Sequence, residues 1–287
     1  MIEELENKYI DLLIDRCLSF KKSNSLFINY YSDNDAFVEK LVTSAKSRGI
    51  EDIYLDRNDK EERHKRLLQS VEEINNDDYF DDHIWDEYAK KDAAFLMLST
   101  EFPGYFADIP SENMTAASLK SRTSKPIYKL KQLTNDISWC IAVIPNKIWA
   151  KEKFSDLSEE DAYNEYFKLM CHCTMVDREN PIEEWNKFLD RQRMLVSKLN
   201  ELQITKMHYT NSLGTDLVIG ISPDALWQCA GYEGSDVIVN MPTYEVFTSP
   251  DYRLTEGIVY ASKPLMYGGA LVDKFWVKFK DGKVIDY

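Results

Sequence analysis

No stretch of this chain approaches the ~20 consecutive apolar residues that a membrane-crossing helix needs. Its start is acidic, Met1-Ile2-Glu3-Glu4-Leu5-Glu6, with no basic segment leading into an apolar one, so no secretory leader is read there. The expected location is the cytoplasm, without a membrane partner. Glycine cradles are missing too. No G-x-G-x-x-G or G-x-x-x-x-G-K-[ST] run is present to hold a nucleotide phosphate, and no G-x-S-x-G elbow presents a serine nucleophile. The five cysteines, at 17, 140, 171, 173 and 229, are odd in number and irregularly spaced, which favours free thiols over a disulfide framework. Positive charge is in short supply. Thirty-five Lys and Arg stand against 49 Asp and Glu, a net charge of −14, which argues against a nucleic-acid partner and for a well-solvated surface.

What is present suits one large or two ordinary domains: 287 residues, 44% of them hydrophobic. Eight of the ten glycines lie after Leu202. Helix-like segments dominate before that point and short strands and turns after it. The expected organisation is an N-terminal α/β domain over 1–203, with a mainly parallel sheet flanked by helices, followed by a β-rich domain over 204–287.

The first part alternates helical and extended patterns, which implies crossover connections. Apolar residues at helical spacing mark residues 2–20. Strands are expected at 25–31, 52–55, 93–98 and 137–144. Between them, 33–48 reads as a helix capped by Asp33 and stopped by Gly49, and 59–74 as one charged surface helix. The acidic run 75–82 reads as a solvated loop. Two more helices are expected, over 158–170 and from Pro181 to 199. In the second part, 206–210 and 215–221 pair around Ser212-Leu213-Gly214, and Gly268-Gly269 reads as a turn. Residues 274–280 alternate as a strand, and Asp281-Gly282 is a strong two-residue hairpin turn into 283–286.

Most candidate chemistry reads as structural. Cys171-His172-Cys173 lacks the second ligand pair that a closed tetrahedral zinc site requires. Glu61 and His64 share a helix face, but the charges around them mark a solvated surface. His83 falls in the acidic loop. His208, in a strand-like segment, has a hydrogen-bonded structural role as its default, though histidine titrates in the range useful for catalysis. Glu245 differs. It stands between Pro242 and Pro250 in an apolar context, and a carboxylate buried there needs a cation, a proton or several donors.

Around Glu245 the residues Asn240-Met241-Pro242-Thr243-x-Glu245-Val246-Phe247-Thr248-x-Pro250-Asp251-Tyr252 resemble the signature of the bacterial metallo-aminopeptidases typified by aminopeptidase T, aminopeptidase S and PepS. Further segments resemble the family in the same order: Trp139 to Ala150, His208-Tyr209-Thr210 with Gly214-Thr215-Asp216-Leu217, and Thr255 to Ile285. The resemblance is dense from about Ile137 onward and looser before.

The resemblance implies a two-lobed homodimer acting on peptides. It also implies two divalent ions per subunit, zinc, cobalt or manganese, that activate a water to release an N-terminal residue. Glu245 matches the family's first metal-ligand glutamate. Tyr244 stands where some members carry a second acid, which alters the local charge. The family's other ligands, a Glu, two His, a Tyr and an Asp, fall beyond Tyr287. The β-rich domain is therefore expected to be the beginning of an incomplete catalytic domain, and the chain a truncated peptidase that is inactive alone. The alternatives are a non-catalytic peptide-binding or dimerisation module, and a subunit completed by another polypeptide.

Overall fold

The computed structural model describes residues 2–231, 237–267 and 270–287. In chain order the strands are β1 (Ser25–Tyr31), β2 (Asp52–Asn58), β3 (Ala94–Ser99), β4 (Trp139–Val143), β5 (Lys206–Thr210), β6 (Asp216–Ile221) and β7 (Gln228–Cys229). They continue with β8 (Asn240–Met241), β9 (Val246–Phe247), β10 (Pro250–Tyr260), β11 (Leu265–Tyr267), β12 (Ala270–Val272), β13 (Trp276–Lys280) and β14 (Lys283–Asp286). The α-helices are α1 (Ile2–Leu12), α2 (Asp35–Ser47), α3 (Lys60–Leu67), α4 (Val71–Asn76), α5 (His83–Lys90) and α6 (Ser111–Thr123). After them come α7 (Pro126–Leu133), α8 (Lys147–Lys153), α9 (Glu159–Cys173) and α10 (Pro181–Glu201). Among the described residues no helix is long and apolar enough to cross a membrane.

The chain divides into two compact units. The first runs to Asn186 and takes in the later segment ending at Thr243; the second holds Lys187 onward and resumes at Tyr244. The division thus falls inside α10 and not near residue 203, where the glycine count suggested it. The segment carrying β8 belongs to the first unit because Asn240 and Met241 pair with Ile141 and Ala142 of β4.

The first unit holds a parallel five-stranded sheet in the order β2-β1-β3-β4-β8. Parallel sheets bury both faces, and β1 meets that demand with the buried run Leu26, Phe27, Ile28. Alternation sends Phe27 and Phe95 to one face, where Trp85, Tyr88 and Ala89 of α5 and Tyr128 of α7 close an aromatic core. Leu26, Ile28 and Leu96 point to the other face and are equally buried. There α1 packs against α2 and α9. Leu67, Ile74, Phe80, Ile109, Ala116 and Ala117 make a separate small core under α3, α4 and α6.

Local chemistry explains several departures from the sequence pattern. The 59–74 segment is two helices, because Ser70 and Glu73 form a capping box that restarts the chain as α4. Asp33 does not cap α2: it sits in a 3-10 turn and pairs with Lys60 at 2.8 Å. Gly49, at φ +82°, does end that helix. The 75–82 run is not all loop, since α4 extends to Asn76 and Asp78–Phe80 forms a 3-10 turn.

The second unit is built on an antiparallel sheet in the order β14-β13-β10-β6-β5, with small ladders β7–β9 and β11–β12. Asp281 and Gly282 both have positive φ, +50° and +71°, as the hairpin turn requires. Gly257 is needed for space: at φ +110° an added Cβ would lie 2.0 Å from the Asp216 carbonyl oxygen. The turn expected at Gly268-Gly269 lies outside the described residues.

Candidate functional site

The structure assigns ordinary roles to most of the singled-out residues. His208 on β5 lies with Nε2 2.6 Å from Asp216 Oδ1 across the β5–β6 hairpin, and both side chains are exposed. Thr215, in the same hairpin, accepts a hydrogen bond from the Tyr260 amide through Oγ1 at 2.9 Å. The His-Tyr-Thr and Gly-Thr-Asp residues therefore hold strands together. Cys171 is buried, while Cys173 is exposed and His172 pairs with Asp177 at 2.8 Å. All five cysteines are free. His64 pairs with Asp108 at 2.9 Å. His83 lies in no loop: it is the first residue of α5 and faces Asp81 at 3.1 Å.

The Trp139 to Ala150 segment is structural as well. It supplies β4 and then Asn146, which is 1% exposed and caps α8 by accepting from the Trp149 amide at 2.8 Å. The Asn146 side-chain amide donates to Thr100 Oγ1 at 3.0 Å and to the Glu101 carbonyl at 2.8 Å.

The Glu245 segment is built differently. It leaves the parallel sheet at β8 through a cis Met241–Pro242 bond and a buried Thr243. Tyr244 and Glu245 then open the second unit's part of the motif. The Tyr244 ring meets Phe188 of α10 edge-on, centroids 5.2 Å apart, and its carbonyl accepts from Gln192 Nε2 at 3.4 Å. Immediately after Glu245, Val246 and Phe247 pair with Cys229 and Gln228 of β7. Thr248 Oγ1 ties the following turn to the Leu226 carbonyl at 3.1 Å. Glu245 is thus fixed by its neighbours on both sides.

Its own carboxylate is exposed and makes no hydrogen bond or ion pair with any described residue. The apolar burial expected from the flanking prolines is absent, because the chain turns outward between β8 and β9. A solvated carboxylate without a partner is available as an oxygen ligand. It does not make a metal centre. Among the described residues no group of three or more His, Cys, Asp or Glu is placed to hold an ion, and a divalent ion needs about four ligands or more. These residues fit one ligand position of such a site and not the site itself.

Sequence patterning gave no signal for a second feature of the same unit. A groove of about 790 Å³ runs between α10 and the segment leading into β7, lined by residues including Met194, Ser197, Leu226, Trp227 and Gln228. The only trace in the sequence is the helical spacing of Arg193, Val196, Ser197 and Asn200.

This architecture, an α/β unit with a parallel sheet and a second unit with an antiparallel sheet, Glu245 standing just ahead of β9, is that of a metallopeptidase family. The chain belongs to the thermophilic metalloprotease (M29) family, whose model matches residues 2–287. It is 29% identical to aminopeptidase PepS of Streptococcus thermophilus over 99% of this chain and 70% of that protein. It is 32% identical to aminopeptidase T of Thermus aquaticus over 68% of this chain and 48% of that protein. Among solved structures, wild-type AmpT from Thermus thermophilus superposes with a TM-score of 0.83 at 26% identity, covering 99% of this chain and 70% of that one.

Proposed function

We propose that this protein serves a metal-dependent aminopeptidase, releasing N-terminal residues from peptides, with Glu245 as one metal ligand. Zinc, cobalt and manganese all suit carboxylate and imidazole ligands. Two such ions would supply the water activation that peptide hydrolysis needs. The active form is a homodimer in this reading. The observation that carries the proposal is the exposed Glu245 carboxylate, without a partner among the described residues and held from both sides within a chain matched to the family over its length.

The 287 residues by themselves are proposed to be insufficient, since they bring no further ligand to Glu245 among those described. In a zinc titration against a chromogenic chelator, the isolated chain is expected to hold fewer than one ion tightly. Metal-reconstituted chain is expected to release no nitroaniline from leucyl-p-nitroanilide above background. Metal-dependent release would support the aminopeptidase assignment and overturn the insufficiency.

A further inference from the structure

The parallel sheet of the first unit carries side chains at its carboxyl end that the fold leaves unsatisfied. In the order β2-β1-β3-β4-β8 the chain passes from β1 to β2 on one side and then returns to β3 on the other. The crevice outside the carboxyl ends of two such strands is where open α/β sheets take their ligands. Here Tyr31 ends β1, and Glu101 and Phe102 follow β3. Phe102 meets the Tyr31 ring edge-on, centroids 4.9 Å apart, and lies 5.7 Å from Lys60 Nζ of α3. Arg63, one turn along α3 from Lys60, is thereby brought to the same end of the sheet.

On the α3 side the unsatisfied groups are donors. Arg48, Arg57 and Arg66 each bind a carboxylate at 2.7 Å. Arg63 is half-buried, its guanidinium 5.8 Å from the Phe80 ring centroid, and its side chain forms no hydrogen bond or ion pair with any described residue. The Tyr31 hydroxyl likewise bonds to no described residue, and the Tyr79 hydroxyl is shielded from solvent without a partner among them. Burial pushes the Tyr31 hydroxyl up and Arg63 pulls it down; the same two influences act on Tyr79, which is pushed up to about 12. The nearby acids are already committed, Asp33 to Lys60 at 2.8 Å and Glu62 to Arg66 at 2.5 Å. A guanidinium and phenol hydroxyls without an acceptor complement a carboxylate.

On the β3 side the unsatisfied groups are acceptors. The Glu101 carboxylate bonds to no described residue, and burial alone raises it. Its backbone is fixed, because its carbonyl accepts from Asn146 Nδ2 at 2.8 Å. Asn34, 3% exposed, donates through Nδ2 to the Pro145 carbonyl at 3.0 Å and leaves Oδ1 without a partner among the described residues. A buried acceptor without a donor costs about 1–3 kcal/mol. Arg63 and Glu101 both act on the Tyr31 hydroxyl, in opposite senses, yet they form no ion pair with each other. Opposite charges that stay unpaired at one end of a sheet complement a molecule that carries both.

We propose that this end of the first unit binds a small zwitterion, its carboxylate at Arg63 and Tyr31 and its ammonium at Glu101. Free amino acids and short peptides share that chemistry. Isothermal titration of the 287-residue chain in EDTA, with leucine and with the dipeptide Leu-Ala, separates the two sources. At least one is expected to bind with a Kd below about 1 mM, and the tighter binder names the source. The N-acetylated and the C-terminally amidated forms of that ligand are each expected to bind at least about 10-fold more weakly. Arg63→Gln and Glu101→Gln are each expected to cost the zwitterion about the same factor. Arg63→Gln should leave the amidated form unaffected, and Glu101→Gln the acetylated form, a pattern that a purely structural role would not produce.

Binding of neither ligand, equal binding of the blocked forms, or a zwitterion affinity unchanged by both variants would overturn the proposal. Circular dichroism checks that each variant is folded; should one not be, the blocked ligands on the unaltered chain decide alone. No metal or hydrolysis enters this measurement, so its outcome is independent of the role of Glu245.

Discussion

Replacing Phe27 by alanine is expected to cost about 3–5 kcal/mol of stability. Phe27 is fully buried in the middle of β1, between β2 and β3. Its ring centroid lies 4.7 Å from that of Trp85, 5.1 Å from those of Tyr54 and Phe95, and 5.5 Å from that of Tyr88. Removing it deletes the ring's transfer free energy and opens a void that four other rings, each in its own contacts, cannot close without moving. The aromatic contacts add about 0.5–1.5 kcal/mol per pair to what area alone supplies. Urea unfolding followed by far-ultraviolet circular dichroism reads the loss. A change below about 1 kcal/mol would mean that this core collapses around the gap, against the close packing described.

The second large effect is electrostatic. Lys125→Met is expected to destabilise the protein by about 3 kcal/mol. The Lys125 side chain is 11% exposed; its Nζ binds the Asp82 carboxylate, lies 3.2 Å from Ser121 Oγ and sits 4.0 Å above the Trp85 ring. Without it, Asp82 loses its cation in a partly buried setting. Asp56 loses one as well. Burial pushes the Asp56 carboxyl up, Asn29 and Trp85 donate to it and lower it, Asp82 raises it and Lys125 lowers it. Deleting Lys125 therefore raises Asp56 further.

The sign follows from linkage. A carboxyl whose folded pKa lies above its unfolded value binds its proton more tightly in the folded state, so stability falls as pH rises from the unfolded value through the folded one. The cost of Lys125→Met is accordingly expected to be smaller at pH 4 than at pH 7. Pairing it with Asp82→Leu is expected to recover most of the loss, because a buried ion pair replaced whole leaves no orphan charge. A double variant no more stable than the single one would show that Lys125 acts through packing alone.

Much of the first unit was legible because its strands are fully buried. Ser25–Tyr31 reads directly from its apolar run, and the parallel order follows from the helices between strands. Helices α9 and α10 announced themselves through Ser158 and Pro181. By contrast, α5 reads in the sequence as the end of an acidic loop despite the one-sided burial of Trp85, Tyr88 and Ala89, and α6 to α8 leave little pattern to read. In α6 only Asn113, Ala116 and Ala117 are buried, so almost no apolar stripe marks the helix, and α7 and α8 are too short to develop a period.

The compact units are discontinuous along the chain for a topological reason. Composition sees glycine density along the chain, whereas β8 returns to the parallel sheet long after that sheet's last helix. Glu245 was singled out by the residues around it, but its exposure was not read from them. Flanking prolines suggested an apolar enclosure, and only the backbone course between β8 and β9 reveals that the side chain faces solvent. The groove beside α10 had the least chance of detection, because its lining joins positions 193–201 to 226–229 through a fold the sequence does not spell out.

The most direct test is complementation. The 287-residue chain, unaltered or carrying Glu245→Gln, is mixed with the part of Streptococcus thermophilus PepS that lies outside its match to this chain, and leucyl-p-nitroanilide hydrolysis is followed with and without divalent metal. The expected result is metal-dependent release by the unaltered mixture and a loss of more than ~100-fold with Glu245→Gln, beyond what removing a residue behind a ligand costs. Activity that survives Glu245→Gln, or a mixture no more active than its separate parts, would contradict it.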